Sequence, residues 1–356
     1  MRAQTPSRFS HLRSATEHGA GTDRPLDRAV RRRRVTILEQ YLKQDRLRLI
    51  DVGARGGVDA RWARFESVLE VTAFEPDRAE CERLNQDADS LPYPARFLPY
   101  ALWKETSDEV PFHICNWPVA SSIYRPNDKF LRSFPEARHL LRIKEVQTVR
   151  TMRLDDLCRQ EDLTADYLKL DVEGAELDVL VGGEAALRET LVLEAEVGLN
   201  RVFQDQPLFA DVDVLLRNRG WVLLGLRRNS WRRGSQLDRD ATGDGGQIVS
   251  ADVLYWNGKA VDGELPLRRE LKLLVILAAY LQADAVLTRL RSSSALAREL
   301  SARELMELER VLVPKPRAAR RLARRALRRL DAERRRTIAD CLQQGDATVW
   351  HDPHFF

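Results

Sequence analysis

Short apolar segments alternate with helix-like segments between residues 46 and 256, and this alternation constrains the fold more than any other feature. Segments with the composition of buried strands lie at 46–52, 70–76, 95–102, 166–172, 190–197, 221–227 and 247–256. Helix-like stretches at 59–69, 77–86, 174–187 and 207–220 separate them. Strands that alternate with helices in this way predict an α/β fold, with a mostly parallel seven-stranded sheet and helices on both faces.

The flanks of this region differ from it in composition. Residues 1–25 are rich in Arg, Ser, Thr, Gly and Pro without periodicity, which predicts a disordered basic tail. A helix is expected over 26–43, and the α/β domain over 26–260. Residues 103–150 interrupt the alternation and are expected to form an excursion that faces substrate. Residues 264–345 predict an appended helical region.

The appended region contains the arginine-rich segment "RAARRLARRALRRL" at 317–330. Alanines and leucines form one stripe of this predicted helix and arginines fill the opposite face. The arginines are either a solvated face or a surface for an anionic partner, such as a nucleotide- or lipid-linked glycan or a membrane. Specific nucleic-acid recognition is not expected, because the net charge is only +4 and no reading module is present.

Cysteine usage and hydropathy bear on the compartment. The four cysteines are scattered without a CxxC pair, which argues against structural zinc and a disulfide framework. No signal peptide is visible, and the apolar run Leu271–Gln282 is too short to span a bilayer. The sequence therefore predicts a cytoplasmic protein without a transmembrane segment.

A glycine-rich turn follows the first predicted strand, in "LIDVGARGG". The glycine positions of the dinucleotide fingerprint G-x-G-x-x-G would hold Gly53, Arg55 and Val58, so only the first matches. The pattern Asp-x-Gly-x-x-x-Gly from Asp51 to Gly57 instead suits S-adenosylmethionine, which has no phosphate to seat. The carboxylate of Asp51 can form an ion pair with the ammonium group of this cofactor. An ordinary tight turn between strand and helix stays open as the alternative.

Acidic residues lie at the ends of two further strands. Glu75, in "FEP", ends the second strand, where a carboxylate can accept two hydrogen bonds from a ribose diol. In "YLKLDVEGAELDVL", Lys169 and Asp171 point to one face of the fourth strand. Asp171 occupies the strand tip, where a reacting group must lie. Glu173 and Glu176 follow it, and acids at a helix start also simply complement the helix dipole.

Four motifs in order resemble the FkbM family of S-adenosylmethionine-dependent methyltransferases. They are "LIDVGARGG", "AFEP", "TMRLDDL…DYLKLDVEGAELDVLVGG" and "LEAEVGLNRVFQDQPLFADVDVLLRNRGW", and "KLDVEGAE" is the most distinctive string. The resemblance covers about residues 46–256. It implies a Rossmann-like methyltransferase fold and O-methylation of a hydroxyl on a sugar, glycan or related metabolite.

The resemblance also implies the cofactor contacts. The glycine turn and Asp51 would hold the methionine part, Glu75 the ribose, and the segment near Tyr100 the adenine. The predicted cofactor-binding residues are Asp51, Gly53, Arg55, Gly57, Glu75, Pro76, Ala101 and Leu102. Arg55 departs from the family pattern, in which many members have Asn, and would reach the cofactor carboxylate or point to solvent.

Methyl transfer to a hydroxyl benefits from in-line alignment and from a general base. Asp171 is the first candidate for the base, followed by Lys169, Glu173 and Glu196. No metal site is predicted, because no second cluster of ligands accompanies Asp171. Trp117, Ser121, Ser122 and Tyr124 either face a sugar or pack the excursion onto the sheet.

Two other functions stay open at the level of sequence. A nicotinamide-dependent oxidoreductase would share the α/β fold, although the broken dinucleotide fingerprint counts against it. A catalytically inactive methyltransferase fold would serve as a binding scaffold through its basic helices, and would bind no cofactor.

Overall fold

The computed structural model describes residues 36–233 and 246–313. Its contacts divide the described residues into one compact unit of Leu38–Ile276 and a second unit whose described residues are 36–37 and 277–313. The predicted disordered tail and the arginine-rich segment 317–330 lie outside the described residues, as does most of the helix expected over 26–43. Of that helix, α1 (Thr36–Leu42) is described.

A seven-stranded sheet dominates the larger unit, as the alternation predicted. Its strands are β1 (Leu47–Val52), β2 (Leu69–Phe74), β3 (Ala95–Leu98), β7 (Tyr167–Leu170), β8 (Val192–Gly198), β9 (Trp221–Trp231) and β10 (Gln247–Asn257). Their order is β3-β2-β1-β7-β8-β10-β9. Only β10 runs antiparallel to its neighbours, β8 and β9, so the sheet is mostly parallel. The carboxyl ends of β1, β2, β7 and β8 therefore meet at one edge.

Helices cover both faces of this sheet. On one face Ile50, Leu168 and Leu193 pack against four helices. These are α5 (Leu154–Gln160), α6 (Glu176–Gly182), α7 (Glu184–Glu189) and α8 (Phe209–Asn218). On the other face the ring of Trp62 meets that of Tyr167 edge-on at 4.9 Å. Trp62 belongs to a 3-10 helix, Ala60–Val68, where the sequence predicted an ordinary helix over 59–69.

The connections after β2 and β3 shape the edge of the sheet. Helix α2 (Arg78–Ala88) begins where the Asp77 carboxylate accepts hydrogen bonds from the backbone of Ala79 and Glu80. The predicted strand 95–102 divides into β3 and the short β4 (Ala101–Leu102). Pro99 stands between them and has no N–H to donate to a ladder, so the single long strand was wrong.

The excursion forms a second sheet of three strands. Strand β6 (Ile143–Met152) lies between β4, which runs parallel to it, and β5 (Ser107–Cys115), which runs antiparallel. A 3-10 helix at Pro118–Ala120 and two short helices, α3 (Asp128–Leu131) and α4 (Pro135–Leu140), connect β5 to β6.

The helix predicted over 174–187 is broken in two at Gly182 and Gly183. A Cβ atom on Gly182 would lie 2.5 Å from the carbonyl oxygen of Trp103, and one on Gly183 would lie 2.7 Å from the Leu154 side chain. The chain therefore needs both glycines for close packing, and they separate α6 from α7.

Helices follow β10, as predicted. They are α9 (Gly258–Asp262), α10 (Leu267–Ala279), α11 (Ala283–Ser292), α12 (Ser294–Glu299) and α13 (Ala302–Leu312). Within the smaller unit, α11 packs against α13, and Ser301 with Glu304 forms a capping box at the start of α13. Among the described residues, none of the helices combines the length and the hydropathy that a membrane span requires.

Candidate active site

The glycine turn after β1 is a tight reversal at the edge of the sheet. Gly53, Gly56 and Gly57 all have positive φ, at 87°, 89° and 92°. The N–H groups of Gly53 and Ala54 both donate to the carbonyl oxygen of Phe74 at 3.0 Å. A Cβ atom on Gly53 would lie 1.8 Å from the carbonyl oxygen of Asp171, whereas one on Gly56 would meet nothing within 4 Å. Gly53 thus allows β1 and β7 to converge at their tips.

Glu75 follows β2 and lies beside the glycine turn. Its Oε1 accepts a hydrogen bond from the backbone N–H of Asp77 at 2.9 Å and lies 3.5 Å from Nη2 of Arg55. Arg55 also pairs with the Asp77 carboxylate. Burial raises the pKa of Glu75 to about 6, against the opposing charge of Arg55. Arg55 thus lines the cavity and pairs with two carboxylates of the protein, and its contact with the cofactor carboxylate stays a prediction.

Lys169 joins the tips of β1 and β7. Its Nζ lies 3.1 Å from Oδ2 of Asp171 and 3.5 Å from Oδ1 of Asp51. Burial acts to lower the pKa of Lys169, but the charges of Asp51 and Asp171 raise it above its ordinary value. Lys169 therefore stays a cation and holds the two carboxylates on one side of the sheet.

Three carboxylates converge next to Lys169. One oxygen from each of Asp171, Glu173 and Glu196 lies within 4.8 Å of the others. Burial and the charges of Glu196 and Asp171 raise the pKa of Glu173 well above its usual range. Burial and the charges of Asp171 and Asp252 do the same for Glu196. Such a cluster is suited to sharing a proton or to attracting a cation.

The loop that carries Glu173 is held from several sides. Glu173 has φ 53°, a conformation uncommon outside glycine. The Ser122 hydroxyl donates to the Glu173 carbonyl oxygen at 2.7 Å, and Oε1 of Glu176 accepts from the backbone N–H groups of Val172 and Gly174 at 3.1 Å each. The loop is therefore fixed by the excursion on one side and by α6 on the other.

A single cavity brings most of the predicted site residues together. Seven of the eight predicted cofactor residues line it, namely Gly53, Arg55, Gly57, Glu75, Pro76, Ala101 and Leu102. Lys169, Asp171 and Glu173 of the predicted catalytic set line it as well. Asp51 and Glu196 are not part of the lining. Oδ1 of Asp51 lies 3.5 Å from Nζ of Lys169. A carboxylate oxygen of Glu196 lies within 4.8 Å of one from Asp171 and one from Glu173.

The excursion supplies one wall of this cavity. Ser121 lines it, and its Oγ accepts from the backbone N–H of Cys115 at 3.1 Å. Phe112, Val119 and Ile123 line it too, and sequence reasoning missed all three. The excursion is rich in aromatic and apolar residues, but this pattern did not show which of their side chains would face the cavity.

Three residues for which a sugar contact and packing onto the sheet were both left open contact other parts of the protein. Ser122 is bonded to the backbone of Glu173. The Tyr124 hydroxyl donates to the Asp178 carboxylate at 2.6 Å, and Trp117 packs on the small apolar cluster of the excursion. None of these three is part of the cavity lining in the described part of the chain.

The lining fits an adenosyl cofactor better than a metal ion. Gly53 and Gly57 line the cavity without side chains, and Glu75 presents a buried carboxylate that can accept hydrogen bonds from a diol. Tyr100 and Leu102 give one wall a flat, apolar character. The spacing of Asp171, Glu173 and Glu196 would also admit a divalent cation, but clusters of acids are common without one.

Comparison with known proteins agrees with this geometry. Residues 51–223 match the family described as "Methyltransferase FkbM domain". The 2-O-methyltransferase NoeI of Sinorhizobium fredii is 29% identical over 196 residues, which is 52% of this chain and 76% of that protein. The hexuronic acid methyltransferase AglP of Haloferax volcanii is 25% identical over 203 residues, 55% of this chain and 76% of that protein.

Solved structures show a weaker likeness. The magnesium protoporphyrin IX methyltransferase of Synechocystis PCC 6803, with bound S-adenosylmethionine, matches with a TM-score of 0.32 and 11% identity. The match covers 67% of this chain and 86% of that chain. Likeness at this level supports no statement about function.

The matched segment begins at Asp51, contains the glycine turn, Glu75 and the Lys169–Glu173 strand tip, and ends at Leu223 in β9. It thus holds nearly all of the cavity lining described above. The family match expected from the four sequence motifs is confirmed, because residues 51–223, just under half of the chain, match the FkbM methyltransferase domain.

Proposed function

We propose that this methyltransferase uses S-adenosylmethionine to methylate a hydroxyl group on a sugar, a glycan or a related metabolite. One observation carries the proposal. A single cavity is lined both by the glycine turn with Glu75 and by Lys169, Asp171 and Glu173. A cofactor and an acceptor bound in it would therefore be neighbours, as group transfer requires.

The first of these two sets would hold the cofactor. S-adenosylmethionine supplies an electrophilic methyl group on a sulfonium. Gly53 and Gly57 keep side chains out of the space beside β1, and Glu75 offers carboxylate oxygens to a ribose diol. Ala101 and Leu102 would lie along the adenine. Asp51 acts through Lys169, because it is buried beneath that residue.

The carboxylates at the strand tips would serve the acceptor. Asp171 is the first candidate to receive the proton of the reacting hydroxyl, and Lys169 at 3.1 Å fixes its orientation. Glu196 is a second proton acceptor within reach of Asp171. The apolar wall from Phe112 to Ile123 would exclude water from the acceptor.

The proposed class of acceptor, a carbohydrate hydroxyl, rests on the names of the two relatives. One is named a 2-O-methyltransferase and the other a hexuronic acid methyltransferase, so both names are compatible with a carbohydrate hydroxyl as acceptor. A sugar also suits a site that combines several carboxylates with an apolar wall, because hydroxyls can donate to the former while the ring packs on the latter.

Titration calorimetry with S-adenosylmethionine and S-adenosylhomocysteine, with NADH as a control, tests the cofactor assignment. Micromolar binding of the first two without binding of NADH is expected. Binding of NADH alone would favour the oxidoreductase, and binding of none of the three would favour an inactive scaffold. Mass spectrometry of methyl glycoside panels incubated with enzyme and cofactor then tests the acceptor class.

The variant Asp171→Asn separates catalysis from binding. It is expected to keep its affinity for the neutral S-adenosylhomocysteine and to lose turnover at saturating S-adenosylmethionine by about a hundredfold, the size of a general-base contribution. Glu184→Gln, on the exposed α7, is the control and should behave as the wild type. Full turnover in Asp171→Asn would remove Asp171 from the reaction. The domain boundaries, the anionic partner and the cytoplasmic location stay predictions.

A further inference from the structure

Glu173 is held in a position that its own backbone disfavours. Its φ of 53° lies in the left-handed region, which only a few per cent of residues other than glycine adopt. Ser122 holds the Glu173 carbonyl oxygen, and Glu176 holds the N–H groups on either side of Glu173. Ser122 is 1% exposed and Glu176 is 3% exposed, so both fixing groups are buried. The loop therefore keeps Glu173 at the cavity wall.

No cation pairs with Glu173 in the described part of the chain. The cations of the site are bound to other acids. Lys169 pairs with Asp51 and Asp171, and Arg55 pairs with Glu75 and Asp77. Glu196 likewise lies near Glu173 without a cation within ion-pair distance, and accepts a hydrogen bond from Ser250 at 2.7 Å.

The cavity is consequently short of positive charge. Its lining holds two cations, Arg55 and Lys169, and three carboxylates, Glu75, Asp171 and Glu173. The further partners of those cations are also carboxylates, so neither cation is available to Glu173. A ligand of net positive charge complements such a cavity better than a neutral ligand of the same shape.

The two forms of the proposed cofactor differ in this respect. S-adenosylmethionine carries an ammonium, a carboxylate and a sulfonium, so its net charge is positive. S-adenosylhomocysteine lacks the sulfonium charge and is neutral overall. Their remaining atoms are alike apart from one methyl group, so charge is the main property that the cavity can use to distinguish them.

We propose that Glu173 recognises the positive charge of the cofactor and makes this enzyme bind S-adenosylmethionine more tightly than S-adenosylhomocysteine. The inference rests on the proposed function, since it assumes that the cavity is the cofactor site. Methyl transfer converts the cofactor to S-adenosylhomocysteine and so removes the positive charge that the cavity attracts. The product should therefore dissociate readily. Burial and the charges of neighbouring carboxylates raise the pKa of Glu173 and of Glu196, and a cation in the cavity would relieve the repulsion between these charges.

Calorimetric titrations of wild type and Glu173→Gln with both ligands test the proposal. They are done in the presence of EDTA, so that no divalent cation neutralises the carboxylates. The wild type is expected to bind S-adenosylmethionine at least about tenfold more tightly than S-adenosylhomocysteine. In Glu173→Gln the ratio should fall to within about threefold, through weaker binding of the charged ligand alone. Sinefungin, which carries an amine near the sulfonium position, should follow S-adenosylmethionine.

Two further variants test whether a change in the affinity ratio is specific to Glu173. Ser122→Ala keeps the carboxylate and releases its backbone, and should lower the same ratio by a smaller factor. Glu184→Gln removes an exposed acid remote from the cavity and should leave the ratio unchanged. Circular dichroism confirms that each variant is folded.

The outcomes separate the two proposals. Equal affinity of the wild type for both ligands, or an unchanged ratio in folded Glu173→Gln, would overturn the role of Glu173 and leave the methyltransferase assignment intact. A wild type that binds neither ligand would overturn the cofactor site itself, and with it this inference.

Discussion

Arg55 Nη2 lies 3.5 Å from Glu75 Oε1, which places a permanent cation beside the carboxylate proposed to bind the cofactor ribose. Glu75 is 3% exposed and sits at the end of β2, so burial opposes its ionisation while Arg55 favours it. The balance raises the pKa of Glu75 to about 6, within reach of ordinary assay conditions.

The affinity for S-adenosylmethionine should depend on pH through Glu75. Only the ionised carboxylate accepts hydrogen bonds with all of its oxygen lone pairs, so binding is expected to be strongest above a pH of about 7. It should weaken as the pH falls through about 6, with a limiting slope of about tenfold per pH unit for one proton. Calorimetry between about pH 5 and about pH 8 measures it. In Glu75→Gln the affinity should be lower and should lack the change near a pH of about 6, while any change caused by Glu173 should remain; an unaltered slope near about 6 would assign that titration to another group.

Removing Arg55 should raise the midpoint of this titration, which is the pH at which half of the Glu75 carboxyl groups are ionised. Without the neighbouring cation, burial alone governs the pKa of Glu75, which must rise above about 6. In Arg55→Met the affinity for the cofactor is therefore expected to begin to fall, relative to that variant's own value at a pH of about 8, at a higher pH than in the wild type.

Arg83→Met is the matched control for this measurement. Arg83 forms ion pairs with Glu80 and Asp87 on the same helix, α2, and does not line the cavity. Its loss should leave the midpoint in place. A midpoint that stays near about 6 in Arg55→Met would mean that Arg55 does not set the ionisation of Glu75.

The parts of the site that come from strand tips could be predicted from the sequence. Gly53, Glu75 and Asp171 each directly follow or end an apolar run, and parallel strands bring such positions to one edge. The pairing Asp51↔Lys169 in the sheet register makes the same point, because neighbouring strands fix which side chains meet. Local pattern and sheet topology together determine these positions.

Contacts between distant segments could not be predicted in this way. Ser122 meets Glu173 across 51 residues of sequence, through a second sheet whose docking no local pattern indicates. Gln206 packs within 3.3 Å of where a Cβ atom on Gly174 would lie, and its Oε1 accepts from the backbone N–H of Phe203. Such contacts depend on how whole layers pack, and one sequence contains no direct record of that packing.

The glycines of the turn should differ in what they tolerate. Gly53→Ala and Gly56→Ala both force alanine into positive φ, which costs about 1–2 kcal/mol each. Gly53→Ala must also push its Cβ atom away from the Asp171 carbonyl oxygen, since the ideal separation is only 1.8 Å. The free energy of unfolding of Gly53→Ala should therefore be lower than that of Gly56→Ala by at least about 2 kcal/mol in urea titrations. Similar losses in the two variants would contradict the convergence of β1 and β7 at this point.

Glu176 stabilises the loop that carries Glu173 by accepting hydrogen bonds at Oε1, and its negative charge is not required for this. Oε1 accepts from two backbone N–H groups, and burial raises the pKa of Glu176 to about 8. A carboxyl whose pKa is raised on folding contributes stability below its unfolded pKa and loses it as the pH rises toward the folded value. Wild-type stability should thus fall between about pH 6 and about pH 8 by up to about 1.4 kcal/mol per pH unit from this group.

Two substitutions of Glu176 distinguish these contributions. Glu176→Gln keeps an oxygen acceptor and cannot ionise, so its free energy of unfolding should rise relative to that of the wild type as the pH increases to about 8. Glu176→Ala also cannot ionise but leaves the N–H groups of Val172 and Gly174 without their acceptor, so it should be less stable than Glu176→Gln by about 2–4 kcal/mol at every pH in this range. Urea titrations at about pH 6 and about pH 8 measure both effects. If glutamine is as damaging as alanine at both pH values, the carboxylate charge of Glu176 itself is required to hold the Glu173 loop.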